Sequence, residues 1–227
     1  IQVCDDVKLV EDDVRDDVYQ WATGDTSRLA NVYSVVNPPP PDPLGMRRSL
    51  ANTAFQEGFT WNSEDLDQAW WMPQGITGTA DASASNEWEG ERYLIVSWHS
   101  EFDADNADAG EAFDGAPEAI RKGVDLARIT VVKVTEGLDE APYRHVLLVE
   151  PYEKRTGRTG FSVITSHAGG IVWHGRYLFV ASASKLLIFD LTTIFDLNDR
   201  IEESSPSRAA ALLTPAQGGV VSLLSAG

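Results

Sequence analysis

Short apolar runs with a period of two fill the chain from residue 73 onward, each bounded by turn residues. Side chains alternate between the two faces of a strand, so this period predicts strands rather than helices. Arg92–Trp98 is apolar and β-branched between polar flanks, and Ala127–Val134 alternates with Ile129, Val131 and Lys133 on one face. Tyr143–Glu150, Gly170–Trp173, Tyr177–Ala181 and Leu186–Leu191 complete the set. In the apolar Tyr143–Glu150 run, alternation points one of the neighbours Arg144 and His145 outward. His174-Gly175-Arg176 predicts a hairpin turn, because glycine tolerates positive φ. After residue 73 only Pro117–Lys122 and residues 206–213 admit a helical period.

The N-terminal part follows a different pattern. Val7, Val10, Val14 and Val18 recur at three and four residues among Asp, Glu, Lys and Arg. That spacing predicts an amphipathic helix within residues 1–22, docked on the domain or on a partner. Asn37-Pro38-Pro39-Pro40-Pro41-Asp42-Pro43 is a stiff extended connector, since each proline fixes φ and lacks a donor. Residues 44–72 read as irregular around Phe55, Phe59, Trp61, Trp70 and Trp71. The chain therefore divides into an acidic helix and connector, 1–43, and a β domain, 44–227.

An internal repeat sets the expected architecture. Gln74-Gly75-Ile76 followed by Gly90-Glu91-Arg92-Tyr93-Leu94-Ile95-Val96-Ser97 is echoed by Gly169-Gly170-Ile171 followed by Gly175-Arg176-Tyr177-Leu178-Phe179-Val180-Ala181. Gln217-Gly218-Gly219-Val220-Val221 reads as the opening of a third unit. One such unit cannot cover both faces of its sheet and must stack on others. The expected fold is all-β, a β-propeller holding two to three blades in this chain, with a helical and irregular N-terminal extension. An incomplete ring implies a fragment, a second chain that completes it, or an open stack of sheets. The start at Ile1 rather than Met implies an upstream segment that was removed.

Several runs, in order, carry a resemblance: Trp71-Met72-Pro73-Gln74-Gly75-Ile76-Thr77, Tyr93–Trp98, Tyr143–Val149, His167–Trp173 and Leu187–Leu191. Over residues 55–222 the chain resembles an uncharacterised family of secreted β-propeller-like proteins of filamentous bacteria and fungi. The resemblance implies a propeller fold and a secreted location, and no chemistry. The acidic insertion at 101–118 departs from that pattern.

Charge narrows the partners. Asp and Glu number 35 against 18 Lys and Arg, a formal net charge of −17. Such a field repels phosphate backbones and anionic membranes, and leaves cations, neutral sugars and proteins open. The single Cys4 excludes an internal disulfide, leaving an external partner or an unreactive thiol. Asp5 and Asp6 beside it disfavour the thiolate, which argues against a nucleophile.

Three constellations carry candidate chemistry. In the acidic insertion, Asp103, Asp105, Asn106 and Asp108 supply hard oxygen ligands suited to Ca²⁺, although not at EF-hand spacing; a solvated acidic loop is the alternative. Gln74, His167 and Gln217 precede the expected innermost strands and would converge on one mouth of a central channel, holding a sugar or metal or merely capping turns. Among the remaining histidines, His99 follows Trp98 at a strand end and is a candidate for a pocket. Trp70, Trp71 and Trp88 offer aromatic faces for a sugar, or pack blade against blade.

The chain holds no Gly-x-Ser-x-Gly elbow, His-Glu-x-x-His or cysteine cluster. The expected function is a secreted binding module for carbohydrate or protein. The alternatives are a carbohydrate-active lyase or hydrolase drawing on His167, His99, Arg144, Asp65, Asp67 and Asp81, and a structural subunit of an extracellular assembly.

Overall fold

The computed structural model describes residues 29–30, 32–36, 59–66, 68, 70–101, 123–135, 141–153, 159–183, 185–196 and 221–225. The helix expected within 1–22, Cys4, the connector 37–43, Asp67, Gln217 and the insertion beyond Glu101 lie outside the described residues.

The described chain is all-β. Its strands are β1 (Leu29–Ala30), β2 (Trp71–Gly78), β3 (Arg92–Ser100), β4 (Ala127–Val134), β5 (Tyr143–Glu153), β6 (Thr159–Val163), β7 (Gly170–His174), β8 (Tyr177–Ala181), β9 (Leu186–Asp196) and β10 (Val221–Ser225). Three short helices join them: α1 (Val32–Val36), α2 (Ser63–Leu66) and α3 (Thr79–Ala82). β4 and β8 have the bounds that alternation predicts. β3, β5, β7 and β9 start where expected and run on. β6 escapes the pattern.

Two antiparallel sheets result. The first has the order β2-β3-β4-β5 with β6 beside β5, and the second β7-β8-β9-β10 with β1 beside β9. Parallel pairing of β10 with β5 links them, Ser222 opposite Leu147. No closed propeller is present among the described residues. Val221, expected to open a third unit, instead opens β10, which pairs antiparallel with β9 and so completes the second sheet.

Turn chemistry fixes the hairpins locally. Trp88 and Glu91 exchange both backbone hydrogen bonds, 2.8 and 3.1 Å, around Glu89 and Gly90 at φ 53° and 79°. Positive φ at both central positions is the turn that matches strand twist. Gly175, at φ 56°, makes the expected turn between β7 and β8.

The two repeat units abut through their first strands. The Trp173 amide donates to Thr77 Oγ1 at 3.0 Å, and the Gly175 amide to the Ala82 carbonyl at 3.0 Å. β2 and β7 thus lie side by side and run in the same direction. A Cβ on Gly75 would stand 3.1 Å from the Gly169 carbonyl oxygen and 3.2 Å from Ile171, so glycine permits this approach.

The core lies between the sheets. Tyr93, Ile95, Ile129, Val131, Val146 and Leu148 of the first meet Ile171, Trp173, Leu178, Val180, Leu187 and Phe189 of the second. Val32 and Val36, one helical turn apart on α1, join the same core. The matched strands β3 and β8 use opposite faces here. Tyr93 and Ile95 point into the core, whereas in β8 the buried pair is Leu178 and Val180, and Tyr177 is exposed. The other face of the first sheet is covered by Phe59 and Trp61, which pack with Leu94, Val132 and Tyr143.

Candidate functional site

β2 begins, β3 ends and the segment before β7 arrives at one edge of the molecule. Pro73 lies within β2 without a backbone donor, and the β2–β3 register shifts between Pro73 and Ile76. The bulge leaves Gln74 exposed and turns the Gly75 amide onto Ser97 Oγ, 2.9 Å away. Ser97 Oγ in turn donates to the Ala168 carbonyl at 2.7 Å, which pins the incoming segment to β3. Ala168 is buried at φ 47°, a left-handed conformation that a non-glycine residue holds only when its surroundings dictate it. The Ser166 amide bonds the Asp125 carbonyl at 3.1 Å, and Ser166 Oγ accepts the Ala168 amide at 3.0 Å.

His167 emerges from this pinned segment directly against His99. The rings stack with centroids 4.5 Å apart and planes 10° from parallel. His99 is buried, and its Nε2 lies 3.6 Å from Glu101 Oε2. The His167 side chain is 70% exposed, with Nε2 3.4 Å from Asp125 Oδ2. Burial, then the neighbouring His167, hold the His99 pKa below the usual imidazole range, against the pull of Glu101 and Asp125. A Cβ on Gly169 would stand 3.9 Å from Gln74 Oε1, so the Gln74 amide reaches the same edge.

Of the expected site residues, His99 and His167 meet, and Gln74 stands at the same edge beside Gly169. Trp70 and Trp71 lie beside them but are buried, the Trp70 carbonyl accepting the Glu101 amide at 3.0 Å. Trp88 is at the other end of the β2–β3 pair, packed on Trp173 at 5.6 Å. Among the described residues no group of three or more His, Cys, Asp or Glu side chains is placed to hold a metal. The Ca²⁺ ligands expected at Asp103, Asp105, Asn106 and Asp108 lie outside the described residues. An imidazole pair flanked by two carboxylates and an amide can hydrogen-bond hydroxyl groups and can pass protons.

A second polar cluster lies inside the molecule, where the 59–66 segment covers the first sheet. Asp65 Oδ1 accepts from His145 Nε2 at 3.0 Å, and Tyr143 Oη donates to Asp65 Oδ2. Tyr143 Oη accepts the Asn62 amide at 3.1 Å. Thr130 Oγ1 lies 2.6 Å from His145 Nδ1 and accepts from Trp98 Nε1 at 2.7 Å. An ionised Asp65 only accepts, so His145 Nε2 carries the proton and Nδ1 accepts from Thr130.

Burial, reinforced by the Arg128 charge, lowers the His145 pKa to about 4 and keeps the ring neutral. Burial alone would raise Asp65, but hydrogen bonds and charge from His145, Tyr143 and Arg128 bring it below its ordinary value. The order Thr130–His145–Asp65 matches a nucleophile, a base and its orienting carboxylate. Thr130 and His145 are sealed from solvent, and the chain of bonds is complete without a substrate. Its physical role is to fasten the 59–66 segment to the sheet.

Arg128 completes this layer. Its guanidinium lies 4.1 Å from the Trp71 ring centre and 5.0 Å from that of Trp98, fully buried, and none of its nitrogens makes a hydrogen bond among the described residues. Burial lowers its pKa to about 9, against the attraction of Asp65.

This interior layer corrects one expectation. Neither Arg144 nor His145 faces outward, because the second sheet covers one face of β5 and the 59–66 segment the other. Asp81 belongs to neither cluster; it accepts from Thr77 Oγ1 at 2.9 Å and shapes the turn into α3. Trp98, Arg128, Thr130 and Tyr143 were not read as partners in the sequence. The available signal was parity: Arg128 and Thr130 occupy the β4 positions opposite Ile129 and Val131. Neither protein-family models nor curated proteins nor solved structures match this chain.

Proposed function

We propose that the chain is a secreted binding module of the β-propeller type that holds a carbohydrate or protein ligand at the Gln74–His99–His167 edge. The convergence of these three residues from two strands and the segment before a third carries the reading. The β2–β5 and β7–β10 sheets act as two successive blades, with β2 and β7 as their inner strands. Their side-by-side, same-direction packing supports this arrangement.

A neutral sugar suits the edge best. The exposed amide and imidazole of Gln74 and His167 can donate to and accept from hydroxyls, while the acidic field disfavours anions. Ca²⁺ held by Asp103, Asp105, Asn106 and Asp108 is part of the same proposal, on the chemistry of their hard oxygen donors. A glycan screen followed by titration calorimetry tests the reading. Wild-type chain binds a neutral glycan, and Gln74→Ala and His167→Ala each weaken it about tenfold or more with an unchanged fold. Glycan binding that survives both substitutions refutes it.

The stacked histidines flanked by Glu101 and Asp125 favour a second reading, a carbohydrate-active lyase or hydrolase using His167 for proton transfer. Appearance of cleaved product with wild-type chain, and its loss in His167→Ala, would select that reading.

A further inference from the structure

Arg128 is a buried cation whose donors go unanswered. It projects from β4, opposite Trp98 on β3 and Leu147 on β5. The side chain is closed to solvent, and among the described residues none of its three nitrogens has a hydrogen-bond acceptor. Asp65 supplies attraction but no acceptor, because its Oδ1 is bonded to His145 and its Oδ2 to Tyr143. Ring faces and a distant carboxylate offset part of the desolvation of a guanidinium, and leave its directed N–H bonds unmade.

The surroundings define what would complete the site. The indoles of Trp71 and Trp98 lie against the guanidinium carbon, and an indole nitrogen only donates. Trp98 Nε1 is in any case spent on Thr130. The unmet demand is therefore for an acceptor that meets the planar fork of N–H groups. A single negative charge suits it. Asp65 already balances part of the cation, and a doubly charged phosphate or sulfate would leave the interior net negative. Enclosure by two indoles limits the acceptor to a few atoms.

We infer that Arg128 binds a small monovalent anion, chloride or a simple carboxylate, on the face of the first sheet that the 59–66 segment covers. The site is separate from the Gln74–His99–His167 edge, since Trp98 and His99 are consecutive in β3 and point to opposite faces. The net charge of −17 works against anions over the rest of the surface, so background binding is low. An anion held only by the folded chain stabilises it by mass action. This inference stands independently of the ligand proposed above.

Thermal unfolding of the full chain tests it, in sodium chloride, sodium acetate and sodium sulfate at matched ionic strength. Relative to sulfate, chloride, acetate or both should raise the wild-type melting temperature by about 3 °C or more beyond their effect on Arg128→Met. A general salt effect acts on both proteins alike, and whichever salt is effective identifies the occupant. A second readout keeps the test usable if Arg128→Met does not fold. The charge of Arg128 lowers the His145 pKa, so the effective anion should move the wild-type His145 titration upward, followed by nuclear magnetic resonance. An equal salt response in the two proteins, or a His145 titration unmoved by saturating chloride and acetate, would mean an adventitious ion only, or water alone at Arg128, and overturns the inference.

Discussion

His145 donates its Nε2–H to Asp65 Oδ1 at 3.0 Å, and both side chains are closed to solvent. The folded His145 pKa is about 4, against an ordinary value of 6.5. The unfolded chain therefore binds more protons as the pH falls through that interval, and folding loses stability. Asp65, lowered in the fold, acts in the same direction at still lower pH, where the unfolded carboxylate protonates first. Urea unfolding should show stability that is full above pH ~6.5 and falls by on the order of 3 kcal/mol toward pH ~4 from His145 alone. His99, also lowered, adds to this loss, so the difference between wild type and His145→Asn isolates the residue. Equal pH profiles for the two proteins would remove the account.

Arg128 lowers the His145 pKa by charge and makes no hydrogen bond of its own among the described residues. Arg128→Met keeps most of the volume between Trp71 and Trp98 and removes a buried charge. The His145 titration, followed by nuclear magnetic resonance, should move upward, with a melting temperature within a few degrees of wild type. An unmoved titration would show that the two groups are not coupled.

Ser97 ties the Gly75 amide to the Ala168 carbonyl through one hydroxyl. Ser97→Ala leaves a part-buried donor and a buried acceptor without that partner, and should cost about 1–3 kcal/mol. Because Ala168 precedes the strand that packs on β2, hydrogen exchange should speed up at Gly75 and Ala168. Exchange spread evenly over the molecule would argue against a local tie.

Gly90 sits at φ 79° with open space where a Cβ would be. Gly90→Ala therefore meets no neighbour, and its cost is that of the left-handed backbone, about 1 kcal/mol. Chemical denaturation measures it directly. A loss several times larger would mean that the turn carries contacts beyond its backbone.

His167 is exposed at the candidate edge, whereas His99 beneath it is buried. His167→Ala should leave the melting temperature nearly unchanged while weakening ligand, and His99→Ala should lower both stability and binding. Equal losses of stability in both variants would make the pair structural.

The sequence by itself determined what is local. Period-two runs placed six strands, because alternation follows from backbone geometry alone. Glycines marked the turns at Gly90 and Gly175, because positive φ is a property of the residue. Gln74, His99 and His167 were legible as candidates, because a chemistry-bearing side chain at a strand end stands out.

Tertiary structure decided what lies against each face. Tyr93 and Tyr177 share a motif, yet one is buried and the other exposed, because a strand cannot specify which side its neighbour will cover. His145 and Arg144 are both buried for the same reason, each face of β5 being covered by a distant segment. Val221 looked like a new unit and completes an old one, since strand order depends on pairing that no single strand encodes. The stacking of His99 on His167 required Ser97 to hold a residue far along the chain, a relation that exists only once the sheets have packed.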